Sequence, residues 1–197
     1  KENLQGYDLY PVESGYASLH EFAAKLRQEI NPFVIAVTGS NGKTTTKNMM
    51  DSVLRYDRDH VYSTKGNFNN DIGLPLTILN MPMDTKWLVL EHGIMKKGDI
   101  HLLASISRPN LAMVTNIGNS HLEMVGSQEN ILKEKLSVAD FFEEGDHLIL
   151  NPFDPLLEKE VKKGLRAITP DPLKLGEITS KDGYYSFFYD EMKIDLS

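Results

Sequence analysis

A short apolar run leads directly into a loop of glycines and a lysine, and this junction constrains the fold more than any other feature. Residues 33 to 37 read Phe-Val-Ile-Ala-Val between turn-forming residues, the pattern of a strand buried on both faces. The loop Thr38-Gly-Ser-Asn-Gly-Lys-Thr-Thr-Thr46 follows at once, and a helix is predicted from about Lys43 to Tyr56. Strand, loop and helix in this order indicate a phosphate-binding α/β domain.

The alternation of strand and helix continues along the chain. An amphipathic helix is predicted over residues 16 to 30, and it ends at Asn31-Pro32. Further strands are predicted at residues 87 to 90, 111 to 115 and 147 to 150, with helices at 98 to 107 and 128 to 142. This order favours a doubly wound, mostly parallel sheet. Residues 164 to 197 are expected to form a small antiparallel extension, with a hairpin turn at Lys181-Asp-Gly183 between strands at 173 to 178 and 184 to 189.

Composition narrows the class of protein. The 197 residues carry a net charge of -7, which argues against a general nucleic-acid surface. The chain has no cysteine, which excludes a disulfide framework and fits a reducing cytoplasm. No apolar run approaches the roughly 20 residues of a membrane-spanning helix. We therefore expect a soluble, cytoplasmic protein that neither binds nucleic acid nor spans a membrane, and we also expect it to be a monomer.

The loop itself predicts nucleotide binding. A standard phosphate loop has a glycine five residues before its glycine-lysine pair, whereas this chain has Val37 there, so the loop is a shortened variant. Glycine lets the backbone approach phosphate oxygens, and the following N–H groups supply partial positive charge. Lys43 would reach the outer phosphates, and Thr44 would offer its hydroxyl to Mg²⁺. The predicted nucleotide-binding residues are Gly39, Ser40, Asn41, Gly42, Lys43, Thr44 and Thr45.

A loop of this kind serves kinases, hydrolases, switches and ligases alike, and five further motifs narrow the choice. Over about residues 16 to 155, the chain resembles the ATP-dependent Mur ligases. Within that family it is similar to the branch that adds D-alanyl-D-alanine to UDP-N-acetylmuramoyl-tripeptide. The motifs are Thr64-Lys-Gly-Asn-Phe-Asn-Asn-Asp-Ile-Gly-Leu-Pro-Leu-Thr77, Leu90-Glu-His-Gly93, Gly98-Asp-Ile100, Thr115-Asn-Ile-Gly-Asn-Ser-His-Leu-Glu123 with Gly126-Ser127, and Lys133-Glu-Lys135.

The resemblance implies a domain organisation and a reaction. Residues 16 to 197 would form the central ATP-binding domain, and residues 1 to 15 would be the end of a linker from a preceding domain. A C-terminal domain would follow the chain. The implied reaction transfers the γ-phosphoryl group of ATP to a carboxylate of the UDP-muramyl peptide. The amine of D-Ala-D-Ala then attacks the acyl phosphate and forms an amide bond.

The resemblance also implies roles for individual residues. Glu91 would hold one Mg²⁺, and His121 would hold a second together with Lys135, the lysine having reacted with carbon dioxide to form a carbamate. Asn70 would face the phosphates and the acyl substrate. Asn151 would contact the adenine.

Lys135 is also unusual by its position. In a helix from 128 to 142 it shares a stripe with apolar residues, whereas Lys133 lies on the polar side. Burial there would lower the pKa of the amine and favour the neutral form that reacts with carbon dioxide. The alternative is a lysine whose stem covers apolar surface while its amine reaches water. The apolar residues of the stripe are Ile131, Leu132, Ala139 and Phe142.

Two departures from the family pattern leave alternatives open. The family's glutamate-methionine-glycine-alanine-asparagine reads Glu91-His-Gly-Ile-Met95 here, and Leu136 and Ser137 replace the glycine and glutamate that usually follow the lysine motif. The alternatives are a ligase with another muramyl peptide or a folylpolyglutamate as substrate, and an inactive nucleotide-binding regulatory domain. The remaining histidines are interpreted as structural: His20, His60, His92, His101 and His147.

Overall fold

Five parallel strands form the central sheet of the computed structural model. The structure describes residues 11–118, 125–171, 179–181, 184–189 and 192–196. The strand order is β2-β3-β1-β4-β5. The winding reverses at β1, which lies between β3 and β4, and in such sheets ligands bind at the carboxyl ends of the strands near this reversal. The strands are β1 (Phe33–Thr38), β2 (Val61–Ser63), β3 (Trp87–Glu91), β4 (Leu111–Val114) and β5 (His147–Leu150).

Helices cover both faces of the sheet. Val34 and Ala36 of β1 point to one face and pack with apolar residues of α1, α3, α4, α5 and α6. Ile35 and Val37 point to the opposite face, which α2 covers through contacts with β1, β2 and β3. The predicted doubly wound sheet is confirmed. The helices are α1 (Gly15–Ile30), α2 (Lys43–Asp57), α3 (Gly73–Leu79), α4 (Asp99–Ser107), α5 (Gln128–Leu136) and α6 (Pro155–Lys162).

One predicted helix is shorter than expected. The helix predicted from 128 to 142 ends at Leu136 and continues only as a 3₁₀ turn, Ser137–Ala139. The Ser137 hydroxyl donates to the carbonyl of Glu134 at 2.6 Å, and Asp140 N donates to Ser137 O at 3.1 Å. Short polar side chains that bond the nearby backbone in this way favour the end of a helix. Ala139 and Phe142 therefore do not continue the helical stripe of Lys135, although both pack against the same core cluster.

The remaining predicted elements agree with the structure to within one or two residues. Strand β2 and helices α3 and α6 were not predicted from the sequence. A second, antiparallel sheet contains β6 (Thr179–Lys181), β7 (Tyr184–Tyr189) and β8 (Met192–Leu196). Of these strands only β7 was predicted, and Lys181, predicted in the turn, is the last residue of β6. The strand predicted at 173 to 178 lies outside the described residues, as do residues 182 and 183 of the predicted turn. Within the described ranges, no helix is both long and apolar enough to cross a membrane.

Candidate active site

The loop between β1 and α2 has a backbone that requires glycine at two positions. Gly39 has φ 149° and Gly42 has φ 78°, values that residues with a Cβ rarely adopt. Helix α2 begins immediately after Gly42, so its free N–H groups point into the loop. The amine of Lys43 donates to Gly39 O at 2.9 Å and to Ser40 O at 3.2 Å. The backbone N–H groups of the loop thus form a concave array of hydrogen-bond donors, and the side chain of Lys43 lies across it.

The segment after β4 braces this loop. Asn41 N donates to Asn116 Oδ1 at 2.9 Å, and Asn116 Nδ2 donates back to Asn41 O at 3.3 Å. The Thr115 hydroxyl donates to the same carbonyl at 2.6 Å, and Gly118 N donates to Ser40 Oγ at 2.8 Å. The glycine loop and the β4 segment are therefore held as one unit at the carboxyl edge of the sheet.

Glu91 occupies the centre of this edge. It is the last residue of β3 and is only 2% exposed. Its Oε2 accepts a hydrogen bond from the Thr44 hydroxyl at 2.8 Å, and its Oε1 accepts one from Asn69 Nδ2 at 2.8 Å. Two oxygens bound to one octahedral Mg²⁺ at about 2.1 Å lie about 3 Å apart. The separation of Thr44 Oγ1 and Glu91 Oε2 fits adjacent positions on such an ion.

Lys135 is buried in α5, with 1% of its surface exposed. Burial, together with a smaller effect of the positive charge of Lys43, lowers the pKa of its amine to about 7, and the charge of Glu134 acts in the opposite direction. Glu134 is held by hydrogen bonds from Gly98 N and Ile100 N at the start of α4. Burial also lowers the pKa of Lys43, an effect that the charge of Glu91 partly offsets.

The two asparagines of the segment before α3 have different contacts. Asn69 is the one that contacts Glu91. The Asn70 side-chain oxygen accepts from Gly73 N at 2.8 Å and so satisfies the start of α3, while its Nδ2 faces Met95 Sδ at 3.7 Å. The structure therefore brings Asn69, rather than Asn70, to the predicted metal ligand. His121 lies outside the described residues.

An apolar cavity of about 440 Å³ adjoins the loop on the α2 side of the sheet. Asn151 lies on its wall, where Nδ2 donates to Thr115 O at 2.8 Å and Oδ1 accepts from Phe153 N at 3.0 Å. The walls of the cavity include Thr46, Met113, Ile149, Asn151 and Phe153. A flat apolar ring beside a phosphate site suits such walls. A second cavity of about 460 Å³ borders α1 and α4 at the amino ends of the strands, away from the glycine loop.

His92 follows Glu91 and is entirely buried. Burial lowers the pKa of its imidazole to about 3, so the ring is neutral. Its Nε2 lies 3.3 Å from Ser107 Oγ, and its backbone carbonyl accepts from the Thr38 hydroxyl at 3.0 Å. These contacts support the structural interpretation of His92.

Two buried residues of the site were not singled out from the sequence. Lys47 in α2 donates to Thr64 O at 2.9 Å, and Thr64 Oγ1 accepts from Glu91 N at 3.1 Å. A signal for Lys47 existed, because Lys43, Lys47, Met50 and Leu54 recur at helical spacing on the side of α2 that faces the sheet. Thr64 is the first residue of the motif that runs from 64 to 77, but nothing in the sequence indicates its contacts with Lys47 and Glu91.

Comparison with known proteins gives evidence about the family of this chain that does not depend on the geometry of the site. The family model of the Mur ligase middle domain matches residues 37–190. The chain is 46% identical over 147 residues to the UDP-N-acetylmuramoyl-tripeptide–D-alanyl-D-alanine ligase of Bacillus subtilis. The aligned region covers 75% of this chain and 32% of that protein. The Escherichia coli ligase of the same name is 37% identical over 131 residues, covering 66% of this chain and 29% of that protein. The chain thus spans about a third of the length of these relatives.

Solved structures of MurF ligases superpose closely on this chain. MurF ligase of Thermotoga maritima, in complex with ADP, superposes with a TM-score of 0.84 at 30% identity, covering 99% of this chain and 47% of that one. MurF of Acinetobacter baumannii superposes with a TM-score of 0.82 at 26% identity, over 94% of this chain and 45% of that one. The E. coli protein FolC is 18% identical with a TM-score of 0.65, over 98% of this chain and 54% of that one, and shares the fold.

Proposed function

Because the chain belongs to the Mur ligase family, whose middle domain it contains, we propose that it is the ATP-binding domain of a D-alanyl-D-alanine-adding ligase. The relatives named above carry that activity in their names. Residues 16 to 197 are assigned to this domain. The UDP-muramyl peptide and D-Ala-D-Ala would be held largely by parts of the ligase that correspond to the rest of the relatives' length.

One observation carries the proposal: the buried Glu91 carboxylate accepts a hydrogen bond from Thr44, the first hydroxyl after the loop lysine. Glu91 and Thr44 are 47 residues apart in sequence, and burying a carboxylate is costly unless it is paired. A cation held by these two side chains would supply that pairing. The donors of the glycine loop and the amine of Lys43 would bind the phosphates, and the apolar cavity beside Asn151 would take the adenine.

Two Mg²⁺ ions are part of the proposal. Glu91 and Thr44 would hold the first, and His121 and the carbamate of Lys135 the second. The ions would neutralise the charge of the ATP phosphates as the substrate carboxylate approaches. The carbamate forms when the neutral Lys135 amine attacks carbon dioxide and loses one proton, and the lowered pKa of this amine makes the neutral form available near pH 7.

The chemical steps require no nucleophile from the protein. A carboxylate oxygen of the muramyl peptide attacks the γ-phosphorus, the bond to the β–γ bridging oxygen breaks, and ADP leaves. The amine of D-Ala-D-Ala then attacks the acyl carbon, phosphate leaves, and the nitrogen loses a proton. Lys43 stabilises the charge on the transferring phosphoryl group, and the loop holds that group in line. Asn69 orients Glu91, and Asn70 is proposed to face the acyl substrate.

A binding titration tests the nucleotide site directly. The 197-residue chain should bind ATP in the presence of Mg²⁺, and Lys43→Ala should weaken binding at least tenfold, because the loop loses its only side-chain cation. Lys133→Ala, which removes an exposed lysine of α5, is the matched control and should bind as the wild type does. Equal affinities for the wild type and Lys43→Ala would refute the proposed phosphate site.

A further inference from the structure

The amine of Lys47 lies in the interior of the protein, one helical turn after Thr44. The residue is 6% exposed, and its Nζ donates to Thr64 O at 2.9 Å. Burial raises the pKa of the nearby Asp51 carboxyl, but hydrogen bonds from Arg55 and Ser63, with the charges of Arg55 and Lys47, lower it overall. A buried ammonium costs free energy unless it is paired. A lysine used only to attach α2 to the sheet could be replaced by an apolar side chain without this cost.

Thr64 connects Lys47 to Glu91. It is 1% exposed and lies immediately after β2, where its N–H donates to Val89 O at 2.9 Å. Its carbonyl accepts from Lys47, while its side-chain Oγ1 accepts from the N–H of Glu91 at 3.1 Å. Thr64 is therefore fixed on one side by α2 and on the other by the last residue of β3.

These contacts close a ring of four links. Thr44 donates to the Glu91 carboxylate, the backbone of Glu91 donates to Thr64, and Thr64 accepts from Lys47. One turn of the α2 backbone connects Lys47 to Thr44. The ring joins the Thr44 hydroxyl to the Glu91 carboxylate by a second route, independent of their own hydrogen bond. It restricts sliding of α2 along β3, which would separate these two oxygens.

We propose that Lys47 is a positioning residue that holds α2 and β3 in the register that keeps Thr44 and Glu91 at a separation suited to one Mg²⁺. The inference rests on the proposed function, because it concerns the same metal site. Mg²⁺ accepts little deviation from octahedral geometry, and a small shift of α2 would misplace Thr44. The proposal gives Lys47 no direct contact with the ion or the nucleotide, because its amine is buried and donates to Thr64.

The test separates positioning from simple stabilisation. The dissociation constant for ATP is measured for the 197-residue chain with Mg²⁺ and with EDTA, and the ratio gives the gain in affinity due to the metal. Lys47→Met should reduce this gain at least fivefold and leave the affinity in EDTA within about twofold of the wild type. Lys133→Met serves as the matched control and should show the wild-type gain. Loss of α2 packing alone would weaken ATP binding equally under both conditions.

Thr64→Val provides a second, independent variant. It removes the hydroxyl that accepts from Glu91 N but keeps the carbonyl that accepts from Lys47, so the buried ammonium retains its partner. We expect the same reduction in the metal-dependent gain, and no further reduction in the double variant, because both changes break one ring. If Lys47→Met does not fold, Thr64→Val alone decides the question.

The outcomes distinguish this inference from the proposed function. If the wild type binds ATP no better with Mg²⁺ than with EDTA, the proposed metal site is wrong. If the wild type shows the gain and Lys47→Met or Thr64→Val keeps it in full, the site stands and the positioning role of Lys47 is overturned. An equal loss of affinity with and without the metal would also overturn it.

Discussion

Gly39 packs directly against Thr115: a Cβ on Gly39 would lie 1.8 Å from Thr115 Oγ1. The same hydroxyl donates to Asn41 O at 2.6 Å, so it cannot turn aside without losing this hydrogen bond to the loop. Close packing of the glycine loop on β4 therefore depends on the absence of a side chain at position 39. Gly42, in contrast, has no heavy atom within 4 Å of the corresponding Cβ position.

Gly39→Ala should lower both stability and nucleotide affinity. The clash with Thr115 adds to the strain at positive φ, and we expect a loss of about 2–4 kcal/mol in the free energy of unfolding. Gly42→Ala incurs only the strain, about 1–2 kcal/mol. Urea unfolding of the two variants measures the difference. Equal losses would mean that the contact with Thr115 does not limit position 39.

Glu91→Gln should remove the metal dependence of ATP binding. The amide keeps a similar shape and an oxygen that accepts from Thr44, but it lacks the negative charge that attracts the cation. We expect the Mg²⁺-dependent gain in affinity to fall at least tenfold, while the affinity in EDTA stays equal or rises because a charge facing the phosphates has gone. Calorimetric titration under both conditions measures the effect. An unchanged gain would exclude Glu91 as a metal ligand.

Lys135→Met should stabilise the protein in buffer free of carbon dioxide. The folded-state pKa of the lysine is about 7, against an ordinary value of 10.5, so below pH 7 the folded protein must bury an ammonium. The penalty is fully present below about pH 7 and fades as the pH rises to 10.5. We expect Lys135→Met to be more stable at pH 7 by on the order of 3 kcal/mol.

The pH dependence of that difference provides the control. Urea unfolding at a series of pH values from 7 to 10 should show the wild type gaining stability relative to Lys135→Met. A difference independent of pH would contradict the lowered pKa. Added bicarbonate should stabilise the wild type alone if the lysine forms a carbamate, since the variant has no amine at this position.

His92→Met should make the protein less sensitive to acid. The imidazole is neutral when folded, with a pKa of about 3, whereas its ordinary value is 6.5. Between these values the unfolded chain binds a proton that the folded protein does not, so wild-type stability falls as the pH drops below 6.5, at up to about 1.4 kcal/mol per pH unit. His92→Met should lose this component.

At neutral pH the same variant should be slightly more stable. His92 Nδ1 is buried and has no hydrogen-bond partner within the described part of the chain, and such a group costs about 1–3 kcal/mol. Methionine is also the residue that the family pattern has here. Unfolding curves at pH 7 and pH 5 check both effects, and parallel behaviour of wild type and variant would show that His92 does not titrate as inferred.

The parts of the fold that follow a strong hydrophobic period were predictable from the sequence. Strands β1, β3 and β5 and helices α1 and α2 agree with the prediction, because each is a clear apolar run or stripe between turn formers. The short strand β2 has only three residues, and α3 has seven. Periodicity needs a longer window than these elements provide. Helix α5 was predicted too long because the stop comes from one hydroxyl, that of Ser137.

The site was predictable where one motif contains the whole arrangement. The glycine loop is such a case, because its residues are adjacent in the chain. The choice between Asn69 and Asn70 is different, since it depends on which side chain turns towards Glu91 and which caps α3. The link from Lys47 to Thr64 spans 17 residues and ends on a backbone carbonyl. A contact with a carbonyl requires no particular side chain at the accepting position, so the residue type at position 64 does not reveal it.

The brace between Asn116 and Asn41 has a consequence for how such sequences vary during evolution. Asn116 uses its side chain, whereas Asn41 contributes only its N–H and carbonyl. Any residue other than proline can offer those two groups. Related sequences should therefore drift freely at position 41, in the middle of the most recognisable motif of the chain, while position 116 remains an asparagine.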